Sequence, residues 1–147
     1  MRVMAIDYGD VRTGIAISDP TGLLTGYAAT IRARRPEEAA ERIAALAREY
    51  GVEELALGFP KNMDGTLGPR AEKAEALAEL LRAATGLPVT LWDERRTTVD
   101  AWNILHSNGR QVRNGKKNVD AVAASLILEG YLSWKRNHAG EDTGASA

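Results

Sequence analysis

The chain has 147 residues and a mass of 15.9 kDa, a length typical of one domain with an ordinary hydrophobic core. Its 19 basic and 20 acidic residues give a formal net charge of −1, which excludes a uniformly basic nucleic-acid coat and an acidic disordered tail protein. Since cysteine is absent, a disulfide scaffold, a thiol nucleophile, an iron–sulfur centre and a cysteine-ligated zinc site are excluded as well.

The sequence predicts neither export nor insertion into a membrane. The apolar run Val3–Ile6 stops at Asp7 and is too short for the hydrophobic region of a signal peptide. No apolar stretch reaches the length of about 18 residues that a transmembrane helix needs. We therefore expect a cytoplasmic protein with no membrane partner.

The first third of the chain predicts three strands. Val3–Ile6 is continuously apolar, as in a central strand buried on both faces, and Ile15–Ile17 follows a turn-rich stretch. Because so short a connection cannot hold a parallel crossover, these two strands should form an antiparallel hairpin. A third strand is predicted between Leu24 and Ile31.

Helical periodicity then alternates with short apolar strands. One helix should begin at Pro36 and end at Gly51, and a second should run from Pro69 to Gly86. The residues predicted to form their buried faces are Ala39, Ile43, Leu46, Ala47, Tyr50, Ala74, Leu77, Ala78 and Leu81. The remaining predicted elements are strands at Leu55–Gly58 and Pro88–Trp92 and helices at about Thr98–Ser107 and Asn118–Trp134.

The order of these elements predicts an α/β fold. An antiparallel three-strand meander followed by strand–helix units should give a mixed sheet with helices on both faces. We expect a single domain over residues 1–136 and a disordered tail over residues 137–147, which are rich in small and polar side chains.

Several common motifs are missing. No Gly-x-Gly-x-x-Gly opens a helix, no serine lies in Gly-x-Ser-x-Gly, and the stretch 109–117 departs from a phosphate-binding P-loop at two positions. His106 lies near a predicted helix end and His138 lies in the predicted tail. We expect both histidines to be surface or helix-end residues and not metal ligands.

Three acidic residues lie at the ends of predicted elements. Asp7 directly follows the first strand, Glu94 follows the strand ending at Trp92, and Asp120 lies in the first turn of the last helix. Open α/β sheets bind ligands beyond the carboxyl ends of their strands, and a right-handed crossover could bring the last helix there. Each acid also has a structural explanation, as a turn residue, an ion-pair partner of Arg95 or a helix-dipole partner.

Converging carboxylates would repel one another unless a cation neutralised them. Oxygen ligands select hard ions such as Mg²⁺ or Mn²⁺, and two such ions can clamp the attacking and leaving oxygens of a phosphodiester displacement. We therefore interpret Asp7, Glu94 and Asp120 as the metal-binding and catalytic residues of a nuclease.

Four motifs resemble those of one known family. They are Ala5-Ile6-Asp7-Tyr8-Gly9-x-x-Arg12-x-Gly14-Ile15-Ala16-x-Ser18-Asp19, Gly58-Phe59-Pro60-x-Asn62-Met63-Asp64-Gly65-Thr66, Asp93-Glu94-Arg95-x-Thr97-Thr98 and Asp120-x-x-Ala123-Ala124-x-x-Ile127-Leu128. In this order and spacing, over residues 1–134, the chain resembles the YqgF/RuvX family, whose members are described as Holliday junction resolvases and as nucleases of pre-16S rRNA.

The resemblance implies an RNase H-like fold with a five-stranded mixed sheet whose acidic residues bind divalent metal. The family's acids fall on Asp7, Glu94 and Asp120, the residues already singled out by their positions. The activity implied is metal-dependent hydrolysis of phosphodiester bonds, in the processing of pre-16S rRNA during ribosome biogenesis. Val11 stands where the family often has lysine.

Basic residues are concentrated between positions 95 and 117, where the net charge is +5. Such a strip beside the acids would attract phosphates, and an aromatic content of only 5% argues against a base-stacking platform. We expect recognition through backbone and shape, with the loop 58–68 covering the substrate. A solvated loop without a ligand is the alternative in each case. The predicted nucleic-acid contacts are Arg12, Lys61, Asn62, Arg70, Arg95, Thr97, Arg110, Arg113, Lys116 and Lys117.

Structured RNA is the expected substrate, and branched DNA is the alternative. A second hypothesis is a non-catalytic assembly factor that binds nucleic acid. A third is a phosphotransferase of the actin and sugar-kinase type, because Asp7-x-Gly9-x-x-x-x-Gly14 resembles the phosphate-binding hairpin of those proteins. Such enzymes hold ATP between two lobes, and 147 residues supply only one.

Overall fold

The computed structural model of the chain describes residues 1–22, 24–59, 68–93 and 119–138, without the side chains of residues 119 and 120. The elements within these ranges are β1 (Val3–Asp7), β2 (Arg12–Ser18), β3 (Thr25–Arg32), α1 (Pro36–Tyr50), β4 (Glu54–Phe59), α2 (Pro69–Thr85), β5 (Val89–Asp93) and α3 (Val119–Asn137). The predicted helix 98–107 lies outside the described residues.

The strands form one mixed sheet in the order β3-β2-β1-β4-β5. The pairs β1–β2 and β2–β3 are antiparallel, which confirms the predicted meander. The pairs β1–β4 and β4–β5 are parallel. The first strand is therefore central, as its continuous apolar run predicted, and Val3–Ile6 is buried.

Helices cover both faces of the sheet, because side chains alternate between the faces along each strand. On one face, Ile6, Ile15 and Leu57 pack in a cluster with residues of α1 and α2. On the other face, Ala5 and Trp92 pack with residues of α3. The predicted three-layer arrangement is confirmed.

Helices α1 and α2 begin and end where the sequence predicts. Pro36 and Pro69 occupy their first turns, where proline has no helical hydrogen bond to lose. Gly51 and Gly86 end them in the left-handed conformation, with φ of 67° and 69°. The buried faces match the predicted ones, except that Leu46 and Tyr50 are only partly buried.

Helix α3 is longer than predicted. It ends at Asn137 and not at Trp134, so Asn137 belongs to the helix and not to the predicted tail. His138 is also ordered against the helix, since its ring stacks on Trp134 with the ring centroids 4.6 Å apart. The predicted start of the tail at residue 137 therefore differs from the observed end of α3. The sequence pattern does not reveal the stacking of His138 on Trp134. Residues 139–147 lie outside the described ranges.

Polar contacts fasten the second half of α3 at the amino edge of the sheet. Glu129 accepts hydrogen bonds from the backbone N–H and the hydroxyl of Thr25, at 3.2 and 2.9 Å. Glu54, the first residue of β4, is 8% exposed and accepts hydrogen bonds from the hydroxyl of Tyr131 and, at 2.5 Å, from the Nζ of Lys135. These contacts fix the position of α3 along the sheet. Among the described helices, none combines the length and apolar character required to cross a bilayer.

Candidate active site

The carboxyl ends of three parallel strands meet at one edge of the sheet. Ile6 pairs with Leu57, so Asp7 of β1 lies level with Gly58 of β4. On the other side of β4, Phe59 pairs with Asp93, the last residue of β5. The two strand ends that carry predicted acids are thus separated by a single strand, at the edge where open α/β sheets bind ligands.

Asp7 is half-buried and is directed towards the α3 side of the sheet. Val3 and Ala5 occupy alternate positions of the same strand, and both pack in the cluster that contains the residues of α3. Tyr8, the next residue, packs with the opposite cluster against α1 and α2. Because side chains alternate along β1, the carboxylate of Asp7 and the ring of Tyr8 lie on opposite faces of the sheet.

We expect the first turn of α3 to lie at this same edge. Tyr131 lies against Glu54 at the amino edge, and the buried Ala121 and Ala124 keep the preceding turns of α3 on the sheet. The 11 residues from Asp120 to Tyr131 span about 16 Å of helix. The five residues from Glu54 to Phe59 span about the same length of strand. If α3 runs antiparallel to β4, these equal lengths place Asp120 level with the carboxyl ends of the strands.

The structure describes only part of the predicted acidic site. Glu94 directly follows β5 but lies outside the described residues, and the side chain of Asp120 is not described. Among the side chains in the described ranges, no group of three or more His, Asp or Glu forms a metal-binding cluster. The structure shows that β1 and β5 end at the same edge of the sheet, and the meeting of the three carboxylates stays a prediction.

Two of the predicted nucleic-acid contacts can be located. Arg12 is exposed at the start of β2, and Arg70 is exposed in the first turn of α2. Both residues lie at the carboxyl edge of the sheet, since β2 begins beside the end of β1 and α2 follows the end of β4. The other predicted contacts, outside the described residues, are Lys61, Asn62, Arg95, Thr97, Arg110, Arg113, Lys116 and Lys117.

A cavity of about 400 Å³ opens at the same edge on the opposite face of the sheet. Its polar lining comes from three segments that are far apart in sequence: Tyr8 and Asp10 after β1, Arg34 before α1, and Lys73 on α2. A smaller cavity of about 100 Å³ adds Arg70 to this group. Sequence reasoning singled out Arg70 but missed the other four residues, because no short motif connects them.

One ion pair crosses this cavity. The Nζ of Lys73 lies 2.9 Å from Oδ1 of Asp10, and the two side chains are 57% and 80% exposed. The hydrogen bond from Lys73 lowers the pKa of Asp10, and the same contact raises the pKa of Lys73. Partial burial raises the pKa of the Tyr8 hydroxyl, and the negative charge of Asp10 adds to the shift.

Comparison with known proteins gives both a family and close relatives. The model of the family described as "RuvX: Holliday junction resolvase" matches residues 1–134. A protein of Halothermothrix orenii named "Putative pre-16S rRNA nuclease" is 45% identical over 135 residues, covering 92% of this chain and 96% of the relative. A protein of Acetivibrio thermocellus with the same name is 47% identical over 137 residues, covering 92% and 97%.

Solved structures with the same fold are more distant in sequence. The RuvC protein of Thermus thermophilus, solved in complex with a Holliday junction substrate, has a TM-score of 0.65 at 14% identity, covering 91% of this chain and 96% of that one. The large terminase nuclease of thermophilic phage G20c has a TM-score of 0.56 at 16% identity, covering 88% and 80%. The fold is thus RNase H-like, as the resemblance implied. Together with the family match over residues 1–134, this establishes that the chain belongs to the RuvX family.

Proposed function

We propose that the protein is a divalent-metal-dependent nuclease that hydrolyses phosphodiester bonds of RNA in the maturation of pre-16S rRNA. Family membership and relatives named for this activity, at 45% and 47% identity over nearly their whole length, support the reaction class. The observation that carries the proposal is that β1, which ends at Asp7, and β5, which ends directly before Glu94, reach the same edge of the sheet.

The residues present suit a hard divalent cation. Asp7 faces the α3 side at the carboxyl edge, and Asp120 lies in the first turn of α3, which we expect at that edge. Glu94 is included because it directly follows β5, which ends at the same edge of the sheet. The group would offer only carboxylate oxygens, the ligands that Mg²⁺ and Mn²⁺ prefer. Asp7, Glu94 and Asp120 would hold one or two such ions. When bound, the metal activates water as a nucleophile and neutralises charge on the phosphate.

The task of the protein scaffold is to hold these carboxylates in place. Asp7 ends a central strand: it pairs with Gly14 of β2, and Ile6 directly before it pairs with Ile15 of β2 and Leu57 of β4. Asp120 is fixed through α3, which Glu54, Tyr131 and Lys135 fasten at the far edge. We expect the strand β1 and the helix α3 to hold their carboxylates in fixed positions. Groups fixed before the reaction stabilise the charge of the transition state without having to rearrange.

Substrate binding is assigned to basic residues around the edge. Arg12 and Arg70 are exposed there, and the stretch 95–117, with its net charge of +5, connects β5 to α3. Arginine and lysine contacts to phosphates position a nucleic acid without reading its sequence. We assign the substrate as structured RNA because the relatives are named for pre-16S rRNA, and the site of action as the cytoplasm.

Cleavage assays with purified protein test the proposal directly. A precursor 16S rRNA fragment and a branched DNA of matched length are incubated with the protein and Mg²⁺ or Mn²⁺. We expect RNA products from the wild type and none from Asp7→Asn, which retains the shape of the side chain but removes its charge. Glu41→Gln, an exposed charge removal on α1, is the matched control and should cleave normally.

The other hypotheses predict different results in this assay. Cleavage of the DNA alone would replace the proposed substrate with a branched junction. RNA binding without product under either metal would support the non-catalytic assembly factor. An Asp7→Asn protein that cleaves as fast as the wild type would refute the metal-site assignment.

A further inference from the structure

The cavity lined by Tyr8, Asp10, Arg34 and Lys73, here called the basic cavity, lies apart from the proposed metal site. Asp7 faces α3, whereas Tyr8 packs on the α1 and α2 side. The two sites therefore share the carboxyl edge of the sheet but lie on opposite faces of it.

The basic cavity has an excess of positive charge. Arg34, Arg70 and Lys73 contribute three cations to the two adjoining cavities, and Asp10 is the single carboxylate in their linings. The lining side chains therefore carry two more positive than negative charges, and Glu37 in the first turn of α1, whose charge acts on the Tyr8 hydroxyl, reduces this excess to one. A cavity of about 400 Å³ has room for a phosphate group with part of a nucleotide.

The ion pair between Lys73 and Asp10 leaves these cations available. Both side chains are mostly exposed, and an exposed ion pair contributes little to stability because solvent screens it. Lysine can exchange one acidic partner for another without disturbing the fold. Asp10 would then oppose an incoming anion by its own charge.

We propose that the basic cavity binds a backbone phosphate of the RNA substrate, on the far side of the sheet edge from the bond that is cleaved. The inference rests on the proposed function, because it is RNA lying across this edge that would contact both faces. Arg34 and Lys73 bind the phosphate, and Tyr8 forms the floor of the cavity. The cavity thereby favours a folded RNA, whose strands can follow both faces of the edge, over a short single strand.

The test is RNA binding in the presence of EDTA, so that no cleavage takes place. A fluorescently labelled hairpin RNA is titrated with wild type, Arg34→Gln, Lys73→Gln and Asp10→Asn. The matched control is Arg48→Gln, an exposed charge removal in the last turn of α1, about 18 Å along the helix from Pro36. Circular dichroism melts show that each variant is folded.

We expect Arg34→Gln and Lys73→Gln to weaken binding about 3- to 5-fold relative to Arg48→Gln, the range of one exposed charged contact. Each should also reduce the slope of log affinity against log salt by about 0.7–0.9. Asp10→Asn should strengthen binding, a change that a merely structural defect would not produce.

Affinities of Arg34→Gln and Lys73→Gln equal to that of Arg48→Gln would overturn the inference, and so would weaker binding by Asp10→Asn. These results are independent of cleavage. If the wild type cleaves RNA but Arg34→Gln and Lys73→Gln bind RNA as well as the control does, the phosphate site is refuted and the nuclease activity is not. A protein that never cleaves but binds as described refutes the nuclease alone.

Discussion

Gly9 allows the chain to turn tightly between β1 and β2. A Cβ at this position would lie 2.3 Å from the carbonyl oxygen of Arg12, which is backbone and cannot move aside without opening the turn. The turn connects Asp7, which faces the proposed metal site, to Asp10 in the basic cavity. The absence of a side chain at Gly9 therefore fixes the geometry of both.

We predict that Gly9→Ala destabilises the protein by about 1–3 kcal/mol, the usual cost of forced repacking. Gly130→Ala is the control, because its Cβ would meet the Trp92 ring at an ordinary 3.4 Å and replace a glycine within α3. That substitution should stabilise by about 0.5–1 kcal/mol. Urea unfolding measures both, and a Gly9→Ala protein as stable as the wild type would contradict the tight turn.

The titration of Asp10 reports directly on its pair with Lys73. The hydrogen bond from Lys73 lowers the pKa of Asp10 below its ordinary 3.8. Lys73→Gln should return the pKa towards that value, and NMR titration of the carboxyl carbon measures the change. Because the pKa of Asp10 is lower in the folded protein than in the unfolded chain, its ionised carboxylate stabilises the fold at pH values above the unfolded-state pKa. This stabilisation is lost as the pH falls through the folded-state pKa. An ordinary pKa for Asp10 in the wild type would show that the pair is absent in solution.

At the scale of elements, the anchoring of α3 determines where its first turn lies. The hydroxyl of Tyr131 and the ammonium of Lys135 both donate to the buried carboxylate of Glu54. The ring of Tyr131 also packs edge-on against Trp92, with the centroids 5.5 Å apart. One side chain of α3 thus connects the helix to both β4 and β5.

We predict that Tyr131→Phe costs about 1–2 kcal/mol of unfolding free energy, since it leaves a buried carboxylate with one donor fewer. Tyr27→Phe, on the edge strand β3, removes a hydroxyl that hydrogen-bonds to Tyr50 at the exposed surface, and it should cost clearly less than Tyr131→Phe because solvent can replace the lost partner. Equal unfolding midpoints for the two variants in urea would contradict the anchoring role of Tyr131.

The sequence predicts strands and helices well where a local apolar pattern, or a proline or glycine at an element end, determines the backbone. The continuous run in β1, the prolines at the starts of α1 and α2, and the glycines at their ends all specify structure within a few residues, and the structure confirms them. The end of α3 was missed because the stack of His138 on Trp134 continues the ordered chain past the apolar pattern.

The basic cavity illustrates what sequence alone cannot predict. Lys73 and Asp10 are 63 residues apart. In the sequence, neither residue indicates more than an ordinary exposed charged side chain. Only the pairing of β1 with β2 and the packing of α2 against the sheet bring them together. The acids of the proposed metal site could be singled out from the sequence, because Asp7 directly follows a predicted strand and Asp120 lies in the first turn of a predicted helix; that they share a metal stays a prediction.

At the scale of the whole molecule, charge is distributed unevenly. The net charge of the whole chain is −1. Residues 95–117 carry a net charge of +5, and the remainder of the chain therefore carries −6. So uneven a charge distribution would orient a polyanion towards the basic stretch during encounter. The same edge of the sheet holds Arg12, at the start of β2, and Arg70, which lines the smaller cavity with Tyr8 and Asp10.

The central claim is that carboxylates from three distant segments share a divalent cation at the carboxyl edge of the sheet. Calorimetric titration with Mn²⁺ tests it most directly, using wild type, Asp7→Asn, Asp120→Asn and the exposed control Glu41→Gln. We predict that the wild type and Glu41→Gln bind Mn²⁺ alike, and that Asp7→Asn and Asp120→Asn each lose most of that affinity, since each removes a charged ligand. Binding of Mn²⁺ by Asp7→Asn or Asp120→Asn as tight as that of the wild type, or no binding by the wild type, would contradict the shared site.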